Sequence, residues 1–347
     1  MTPETLPPRK KSKRGIIVTI SLLVVLSVLG YLAWTSPFFG KHLPSFTGEP
    51  FSTFTPLPVL TTPDDSTLPG QTPTPRDKHA FTDISSNSST SVCGQTEPMF
   101  ILALAIDDNE QADMIRLIRV DFNERRAVVL SIPRDFWVPI PGLEEHSITQ
   151  FKINGSYGFG EYFNGPGQGV VKFSETIFYN YGIKFDRYLV GHFDNFERLI
   201  DAMGGVDIYL EEPIGVYATA GHHHFNGEEA VLFARLRRAD LDRYRIIRQS
   251  AIIKGVYQKL TQPANLIKLP GLGLRFLQDK SVITDVTVQD VATFTCFIKE
   301  IELSSVAFVD IPSDLYTPNI TNFGRNIMIP KPEVTTFIQD RILNGDY

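Results

Sequence analysis

The sequence predicts an α/β domain built on a mixed β-sheet with helices on both faces. Three observations support this fold class. Short apolar runs alternate with helical patterns along residues 96–347, an early pair of runs has the form of a hairpin, and glycine ends two of the helical patterns. A hairpin beside strand–helix alternation makes the sheet partly antiparallel and partly parallel. One transmembrane helix and a disordered, proline-rich stalk are expected before this domain.

The N-terminal segment has the pattern of a retained membrane anchor. Basic residues cluster within residues 9–14, and no charged residue occurs from Ile16 to Trp34. At about 1.5 Å per residue this stretch reaches roughly 28 Å, close to the ~30 Å hydrocarbon core of a bilayer. Basic flanks stay in the cytoplasm, which predicts a cytoplasmic tail over residues 1–14 and a single-pass anchor over residues 15–34. A cleaved signal peptide is the alternative, but Trp34 and Pro37 occupy the positions where cleavage would occur.

Residues 35–95 have the composition of a disordered stalk. Nine prolines lie between Pro37 and Pro75, mixed with Ser, Thr and Gly, and no helical or strand period is present. The stalk would connect the anchor to an extracytoplasmic domain over residues 96–347.

The charge balance excludes a nucleic-acid-binding domain. The formal net charge is −6, and the tail contributes +4 from five basic residues and one acidic residue, which leaves −10 for the rest of the chain. General affinity for polyanions requires the opposite sign. Any phosphate-binding site must therefore be a local basic patch.

Apolar runs predict the strands. Met99 to Ile106 has the length of a buried strand. The next two runs, Met114 to Val120 and Ala127 to Ile132, flank the polar turn Asp121 to Arg125 and predict a hairpin. The later predicted strands are Arg187 to Gly191, Val206 to Leu210 and Val306 to Ile311.

Capping signals and glycines locate the helices. Asp194 with Glu197 and Asn226 with Glu229 match the capping-box pattern. The predicted helices are Val170 to Tyr181, a helix from Asp194 to before Gly204, one beginning at Asn226, one from about Asp242 to Leu260, one beginning at Thr287 with Asp290, and Pro332 to Leu343.

Six arginines within fourteen positions form a concentrated positive site in an acidic domain. Guanidinium groups bind phosphate oxygens bidentately and keep their charge at any working pH. Asp242, Arg245 and Gln249 are spaced three and four apart and so share one helix face. A solvated helix face with a weak ion pair is the alternative. The six arginines are Arg235, Arg237, Arg238, Arg243, Arg245 and Arg248.

Two further segments place charged residues at predicted strand ends. Ser131 to Asp135 follows an apolar strand, where α/β proteins position ligand-binding loops, and it carries Arg134. Asp107 ends the first strand and Asp113 precedes the second, and two such carboxylates could hold Mg²⁺ or Mn²⁺. A turn with a surface ion pair at Arg134, and a simple polar turn after Asp107, are the alternatives.

Histidine and cysteine give weaker signals. His222 to His224 are predicted to lie in a solvated, glycine-bounded loop, because three adjacent histidines on regular backbone cannot all face one ion. Cys93 and Cys296 could form a disulfide outside the cytoplasm, and two separate thiols remain the alternative.

These motifs occur together in the order of one protein family. From about Phe100 to Leu260 the chain resembles the LytR–CpsA–Psr domain. The matching segments are Ile106-Asp107, Asp113, Ser131 to Asp135, Lys152 to Asn154, Gly155 to Gly160, Asp186 to Tyr188, Gly204 to Val206, Asn226 to Ala230, Ala234 to Arg237 and Asp242 to Gln249.

The resemblance implies a membrane-anchored phosphotransferase that moves teichoic acid, capsular or similar polysaccharides from polyprenyl pyrophosphate onto peptidoglycan. It implies that Asp107 and Asp113 hold the metal, Mg²⁺ or Mn²⁺, and that an apolar tunnel between Gly167 and Leu260 takes the polyprenyl chain. The implied pyrophosphate-binding residues are Arg134, Arg235, Arg237, Arg245 and Gln249. The implied catalytic residues are Asp107, Asp113, Arg134, Asp242 and Arg245.

The chain departs from the family pattern at three positions. Asn109 and Gln111 stand where many members carry arginine, and Tyr244 stands where glycine is common. A polyprenyl-pyrophosphate hydrolase and a non-catalytic binder of lipid-linked polymer therefore stay open as alternative functions. The candidates to supply the missing charge are Arg116, Arg119 and Arg238.

Overall fold

The computed structural model describes residue 27 and residues 41–46, 50, 93–214, 218–236, 242–279, 281–321 and 324–346, with backbone alone at 242–244. The predicted tail, nearly all of the predicted anchor and most of the predicted stalk lie outside these residues. Within them, no helix is long and apolar enough to span a bilayer.

The centre of the fold is a mixed sheet, which confirms the predicted fold class. Its six strands, within the described residues, follow the order β10-β3-β2-β1-β6-β9. The pairs β1–β6 and β3–β10 are parallel, whereas β1–β2, β2–β3 and β6–β9 are antiparallel. The strands are β1 Met99–Ile106, β2 Ala112–Asp121, β3 Arg126–Ser131, β6 Arg187–His192, β9 Ile283–Thr284 and β10 Val306–Asp310.

Three two-stranded ribbons surround this sheet. Each is antiparallel, and the first, β4–β5, follows the loop that carries Arg134. The ribbons are β4 Trp137–Pro139 with β5 Gln150–Lys152, β7 Val206–Leu210 with β8 Gly221–Phe225, and β11 Tyr316–Ile320 with β12 Asn326–Pro330.

Helices cover both faces of the sheet. The helices are α1 Gly155–Phe159, α2 Gly169–Tyr181, α3 Phe193–Ala202, α4 Gly227–Arg235, α5 Asp242–Leu260, α6 Pro263–Leu266, α7 Leu269–Leu277, α8 Val288–Glu300 and α9 Glu333–Gln339. The alternation of side chains along β1 and β2 separates two layers. The largest core cluster joins Leu102 and Leu117 to Phe173 of α2 and Ile338 of α9. On the opposite face, Met114 packs with Phe193 of α3.

Most predicted elements are confirmed, including β1, the β2–β3 hairpin and α5. The capping box of Asn226 with Glu229 is present, since Asn226 Oδ1 accepts from the Glu229 N–H at 2.9 Å. Thr287 and Asp290 form the same arrangement at the start of α8.

Two local predictions were wrong. The helix α3 begins at Phe193, because the cap is His192 with Asn195 as its reciprocal partner, so Asp194 lies in the first turn. His222 to His224 belong to strand β8, not to a loop. Their backbone N–H and C=O groups form hydrogen bonds with β7 in a hairpin. The sequence argument considered only the histidine side chains, and it therefore did not predict this pairing.

Part of the predicted stalk contacts the domain. Residues 41–46, here called the strap, have no regular secondary structure, and Leu43 packs against the main core cluster. The Phe46 ring stacks on Phe178 of α2 at a centroid distance of 5.8 Å. A disordered stalk is therefore not correct for these residues, because the average composition of residues 35–95 hides a short segment with apolar side chains.

Cys93 and Cys296 form a disulfide that links the residues before β1 to α8. Their Cα atoms lie 5.7 Å apart, within the usual range for the bond. The bond joins positions 203 residues apart and lies beside the cluster of Met99, Phe122 and Phe297. The alternative of two separate thiols is thereby excluded.

Removing this bond should destabilise the domain. We expect Cys93→Ser to lower the free energy of unfolding by about 2–5 kcal/mol, because the unfolded chain loses a long-range constraint. Urea unfolding with and without a reductant measures the effect. The reductant should reproduce the loss in the parent protein and have no effect on the variant; equal stability of the parent in both conditions would contradict the prediction.

Candidate functional site

The candidate site begins at the loop that joins β1 to β2. Asp107 follows β1 and is 6% exposed. Its Oδ1 accepts hydrogen bonds from the backbone N–H groups of Asn109 and Gln111, both at 2.9 Å, and its own N–H donates to the Gln111 carbonyl at 2.9 Å. The carboxylate thus holds the loop in a closed turn.

Asp113 occupies a β-bulge at the start of β2. Ile106 pairs with Ala112 and Ala105 pairs with Met114, so Asp113 is an extra residue between them. It is 4% exposed and forms an ion pair with Arg134, which follows β3. Asp113 and Arg134 therefore come together from the ends of neighbouring strands.

The β4–β5 ribbon supports both loops. Lys152 Nζ lies 2.7 Å from Asp135 Oδ1, and Asp135 Oδ2 lies 3.8 Å from Arg134 Nε. Asn154 donates from its side chain to Gln111 Oε1 at 3.1 Å and accepts at its carbonyl from the Ala112 N–H at 3.0 Å. Sequence reasoning assigned no role to Lys152 or Asn154, because nothing in their spacing shows that the segment reaches these loops.

Helix α5 brings Gln249 to the site. Gln249 is 4% exposed, and Arg245, four positions earlier and so on the same face of the helix, is 6% exposed. Gln249 donates from Nε2 to the Asp113 carbonyl at 3.4 Å. The side chain of Asp242, at the helix start, lies outside the described part of the chain.

Arg116 contacts Gln249 from β2. It is 2% exposed and donates from Nη2 to Gln249 Oε1 at 3.3 Å and from Nη1 to the Ile115 carbonyl at 3.1 Å. Arg119 instead reaches the carbonyls of Ile342 and Leu343 near the C terminus. Of the candidates for the missing positive charge, Arg116 is therefore at the site and Arg119 is not, while Arg238 lies outside the described residues.

The other arginines of the predicted cluster lie in different surroundings. The Arg235 guanidinium, at the end of α4, lies 4.7 Å from the centroid of the Phe193 ring. Arg248 is 1% exposed and donates to the Leu236 carbonyl at 2.7 Å, so it supports the segment that follows Arg235. Arg237 is outside the described residues.

An apolar cavity lies next to these polar groups. It encloses about 360 Å³ of empty space, its open mouth included. Gln249 is the one polar residue among the described residues that line it, so the polar network reaches the cavity through that side chain. The apolar lining includes Met114, Phe193, Phe196, Val231, Ile252 and Ile253.

The carboxylates fit a divalent cation in part. Asp107 and Asp113 flank one short loop and are hard oxygen ligands. No group of three His, Cys, Asp or Glu side chains that could hold a metal ion occurs in the part of the chain that the structure describes. In proteins, Mg²⁺ is commonly bound by one or two carboxylates, with water and substrate phosphates as its other ligands.

Tyr157 of α1 lies beside this loop and stays neutral. Burial raises the pKa of its phenol far above the usual value, and the negative charges of Glu161 and Glu110 add to the shift. Tyr157 can therefore donate a hydrogen bond near the loop but cannot act as a base at neutral pH.

Comparison with known proteins identifies the family. The sequence profile of the LytR_cpsA_psr family matches residues 72–339. Because this match covers well over half of the chain, the protein belongs to the LytR–CpsA–Psr family.

Curated relatives match about half of the chain. TagV of Bacillus subtilis strain 168, named a polyisoprenyl-teichoic acid–peptidoglycan teichoic acid transferase, is 29% identical over 191 residues, which are 50% of this chain and 46% of TagV. Regulatory protein MsrR of Staphylococcus aureus strain COL is 30% identical over 181 residues, 49% of this chain and 51% of MsrR. The chain thus spans about half the length of the curated relatives it matches.

Solved structures share the fold. The crystal structure of B. subtilis TagV has a TM-score of 0.58 at 21% identity and covers 72% of this chain and 98% of its own. A structure described as TagT bound to LIIa-WTA has a TM-score of 0.57 at 20% identity, with coverage of 75% and 97%. At these identities the likeness shows the fold alone.

Glycine at position 158 allows α1 to pack against the loop of Asp107. A Cβ there would lie 2.9 Å from the Glu110 carbonyl oxygen. We expect Gly158→Ala to lower the free energy of unfolding by about 1–3 kcal/mol, because the loop must move. Gly271→Ala in α7 is the matched control, since no atom lies within 4 Å of its added Cβ, and it should raise stability by about 0.4–1 kcal/mol. Urea denaturation measures both; equal effects would contradict the proposed contact.

Proposed function

We propose that the protein is a phosphotransferase that ligates a glycopolymer, such as teichoic acid or capsular polysaccharide, from a polyprenyl-pyrophosphate carrier onto peptidoglycan. The observation that carries this proposal is the Asp113–Arg134 ion pair, joined through Gln249 to an apolar cavity. A charged end that could bind phosphate beside an apolar pocket is in keeping with a substrate that has a pyrophosphate and a lipid tail. The names of TagV and of the TagT complex support the same substrate class.

The residues divide between binding and charge stabilisation. Arg134, Arg235 and Arg245 would hold the pyrophosphate, and Gln249 would orient it at the cavity mouth, with Arg237 as a further ligand. Asp107 and Asp113 would hold Mg²⁺ or Mn²⁺, which when bound would neutralise charge on the phosphate oxygens. The apolar side chains of α3, α4 and α5 would exclude water from the lipid tail.

Transfer would proceed by direct displacement at phosphorus. The hydroxyl oxygen of the peptidoglycan sugar bonds to the phosphorus next to the glycopolymer, and the bond from that phosphorus to the bridging oxygen breaks. Polyprenyl phosphate leaves with the electron pair, and the arginines stabilise its developing charge. The hydroxyl proton passes to a carboxylate, for which Asp242 is the candidate from the sequence.

The proposal includes the membrane anchor over residues 15–34 and an extracytoplasmic domain, because a lipid-linked donor remains in the bilayer. The basic tail and the uncharged run of Ile16 to Trp34 support this topology.

One observation favours a second function, binding without transfer. Gln111, which replaces a family arginine, accepts a hydrogen bond from Asn154 at its side chain and has no positive charge. Hydrolysis of the pyrophosphate, with water in place of the sugar hydroxyl, requires the same clamp and is separated from transfer only by its products.

Loss of the ion pair should abolish transfer. We expect Arg134→Ala to lower kcat by about 10²–10³-fold, because a charge stabiliser of the transition state is removed. Arg126→Ala, at the exposed start of β3, is the matched control and should change kcat less than twofold. The assay supplies full-length protein in vesicles with a short polyprenyl-pyrophosphate glycan, Mg²⁺ and peptidoglycan fragments, and measures joined sugar and released phosphate.

The products of this assay decide between the functions. Joined sugar in the parent and its loss in Arg134→Ala supports the ligase. Released phosphate without joined sugar indicates the hydrolase, and donor binding with neither product indicates the binder. An undiminished rate in Arg134→Ala contradicts the assigned clamp.

Arg116 should act as a positioning residue for Gln249. Replacing it with Met removes the donor to Gln249 Oε1, and we expect kcat/KM for the donor lipid to fall about 10-fold or more, in line with the ~1.5–3 kcal/mol of a hydrogen bond to a charged group. Arg119→Met on the same strand should reduce stability and leave kcat/KM unchanged. Steady-state kinetics well below the unfolding temperatures, with Arg116→Lys as a rescue variant, test the assignment; equal kinetic losses in the Arg116→Met and Arg119→Met variants would count against it.

A further inference from the structure

The strap makes two polar contacts with buried residues of the domain. The Tyr188 hydroxyl donates to the Lys41 carbonyl at 2.7 Å, and His42 Nδ1 lies 3.0 Å from Asp285 Oδ2. Tyr188 and Asp285 are 2% and 1% exposed. These contacts lie at the beginning of β6 and just after β9, at the end of the sheet opposite the loop of Asp107.

Asp285 needs the partners that surround it. Its Oδ1 accepts the Tyr188 N–H at 2.8 Å, and burial raises the pKa of its carboxyl group, against which the hydrogen bonds from the Tyr188 N–H and His42 and the charge of Arg187 act. A buried carboxylate is costly unless it is paired and hydrogen-bonded. The strap therefore supplies a partner that the domain alone would have to replace with water.

Apolar contacts hold the rest of the strap. Leu43 packs on the main core cluster, and Phe46 stacks on Phe178 with an interplanar angle of 19°. Four positions further on, Pro50 lies beside Gly182 at the end of α2, where an added Cβ would come within 3.3 Å of its ring. The contacts thus extend from Lys41 to Pro50 along one side of the domain.

We propose that the strap, and not the proline-rich stalk, sets the distance between the domain and the membrane. This inference rests on the anchor of the proposed function. Seven peptide units join Trp34 to Lys41, and they can span at most about 25 Å. A free stalk of residues 35–95 would instead hold the domain at a root-mean-square distance of roughly 43 Å.

The connection from the anchor to the domain then ends at the strap, before residues 51–92. Pro50 contacts the domain on one side of these residues, and Cys93 is bonded to Cys296 on the other. The number of residues between Pro50 and Cys93 therefore does not affect the height of the domain above the bilayer. The strap, and with it the domain, is thereby held close to the bilayer that contains the lipid-linked donor of the proposed function.

Energy transfer in vesicles tests the role of the strap. Lys184 is exposed and its Nζ lies 5.0 Å from the Phe178 ring centroid, so a dye on Lys184→Cys reports from beside the strap. The native cysteines are paired and do not take the label. Full-length protein is reconstituted in phosphatidylcholine vesicles with acceptor-labelled headgroups.

The same insert at two different places gives a matched pair of variants. A 40-residue Gly–Ser insert between Gly40 and Lys41 lengthens the connection before the strap to a root-mean-square span of roughly 38 Å, and energy transfer should fall sharply. The same insert between Thr74 and Pro75 should leave energy transfer unchanged. In the Leu43→Ser, Phe46→Ser double variant, which removes the apolar contacts of the strap, both inserts should lower energy transfer equally.

The outcomes separate the strap from the proposed function. If both inserts lower energy transfer equally in the protein with the native strap, the strap proposal is wrong and the membrane anchor is unaffected. A chain that does not sediment with the vesicles contradicts the anchor, and the strap proposal fails with it. Transfer activity does not enter either readout, so the ligase assignment is tested independently.

Discussion

The β-bulge at Asp113 is the constraint on which the site depends. In a regular antiparallel pair, consecutive residues of β2 point to opposite faces of the sheet and are committed to one layer or the other. Ala112 belongs to the main core cluster and Met114 lines the cavity, so the extra residue between them is committed to neither layer. Its carboxylate can therefore reach Arg134 at the end of the adjacent strand. A buried carboxylate without this partner would carry a desolvation cost of several kcal/mol.

The rest of the site is arranged around that pair. Gln249 donates to the backbone of the bulge and accepts from Arg116, so it fixes α5 against β2 at the point where the apolar cavity begins. The loop of Asp107 is closed by its own carboxylate and supported by Asn154. The hydrogen-bonded polar groups and the apolar cavity thus meet within one turn of α5. A ligand with a pyrophosphate and a lipid tail requires this arrangement.

Sequence patterns predicted the sheet, the long helix α5 and most of the helix starts, because these depend on local periodicity and capping. They also placed Arg245 and Gln249 on one helix face and named Arg116 as a candidate to supply positive charge. They did not reveal the ion pair of Asp113 with Arg134 or the contacts of Lys152 and Asn154, which depend on tertiary packing. The cap of α3 was misplaced because His192 is an unusual cap, and the strap was missed because six residues were averaged into a proline-rich stretch.

The disulfide also determines how the domain would bear mechanical load. Under the proposed function the protein would join the membrane to a growing wall polymer, and tension that pulled the strap off the domain would next reach the domain at Cys93. Without a cross-link, that tension would act on β1, the inner strand on which β2 and β6 pair. Because Cys93 lies six residues before Met99 and is bonded to α8, the force passes into the helix layer. The strand that carries Asp107 is thereby shielded from being peeled out of the sheet.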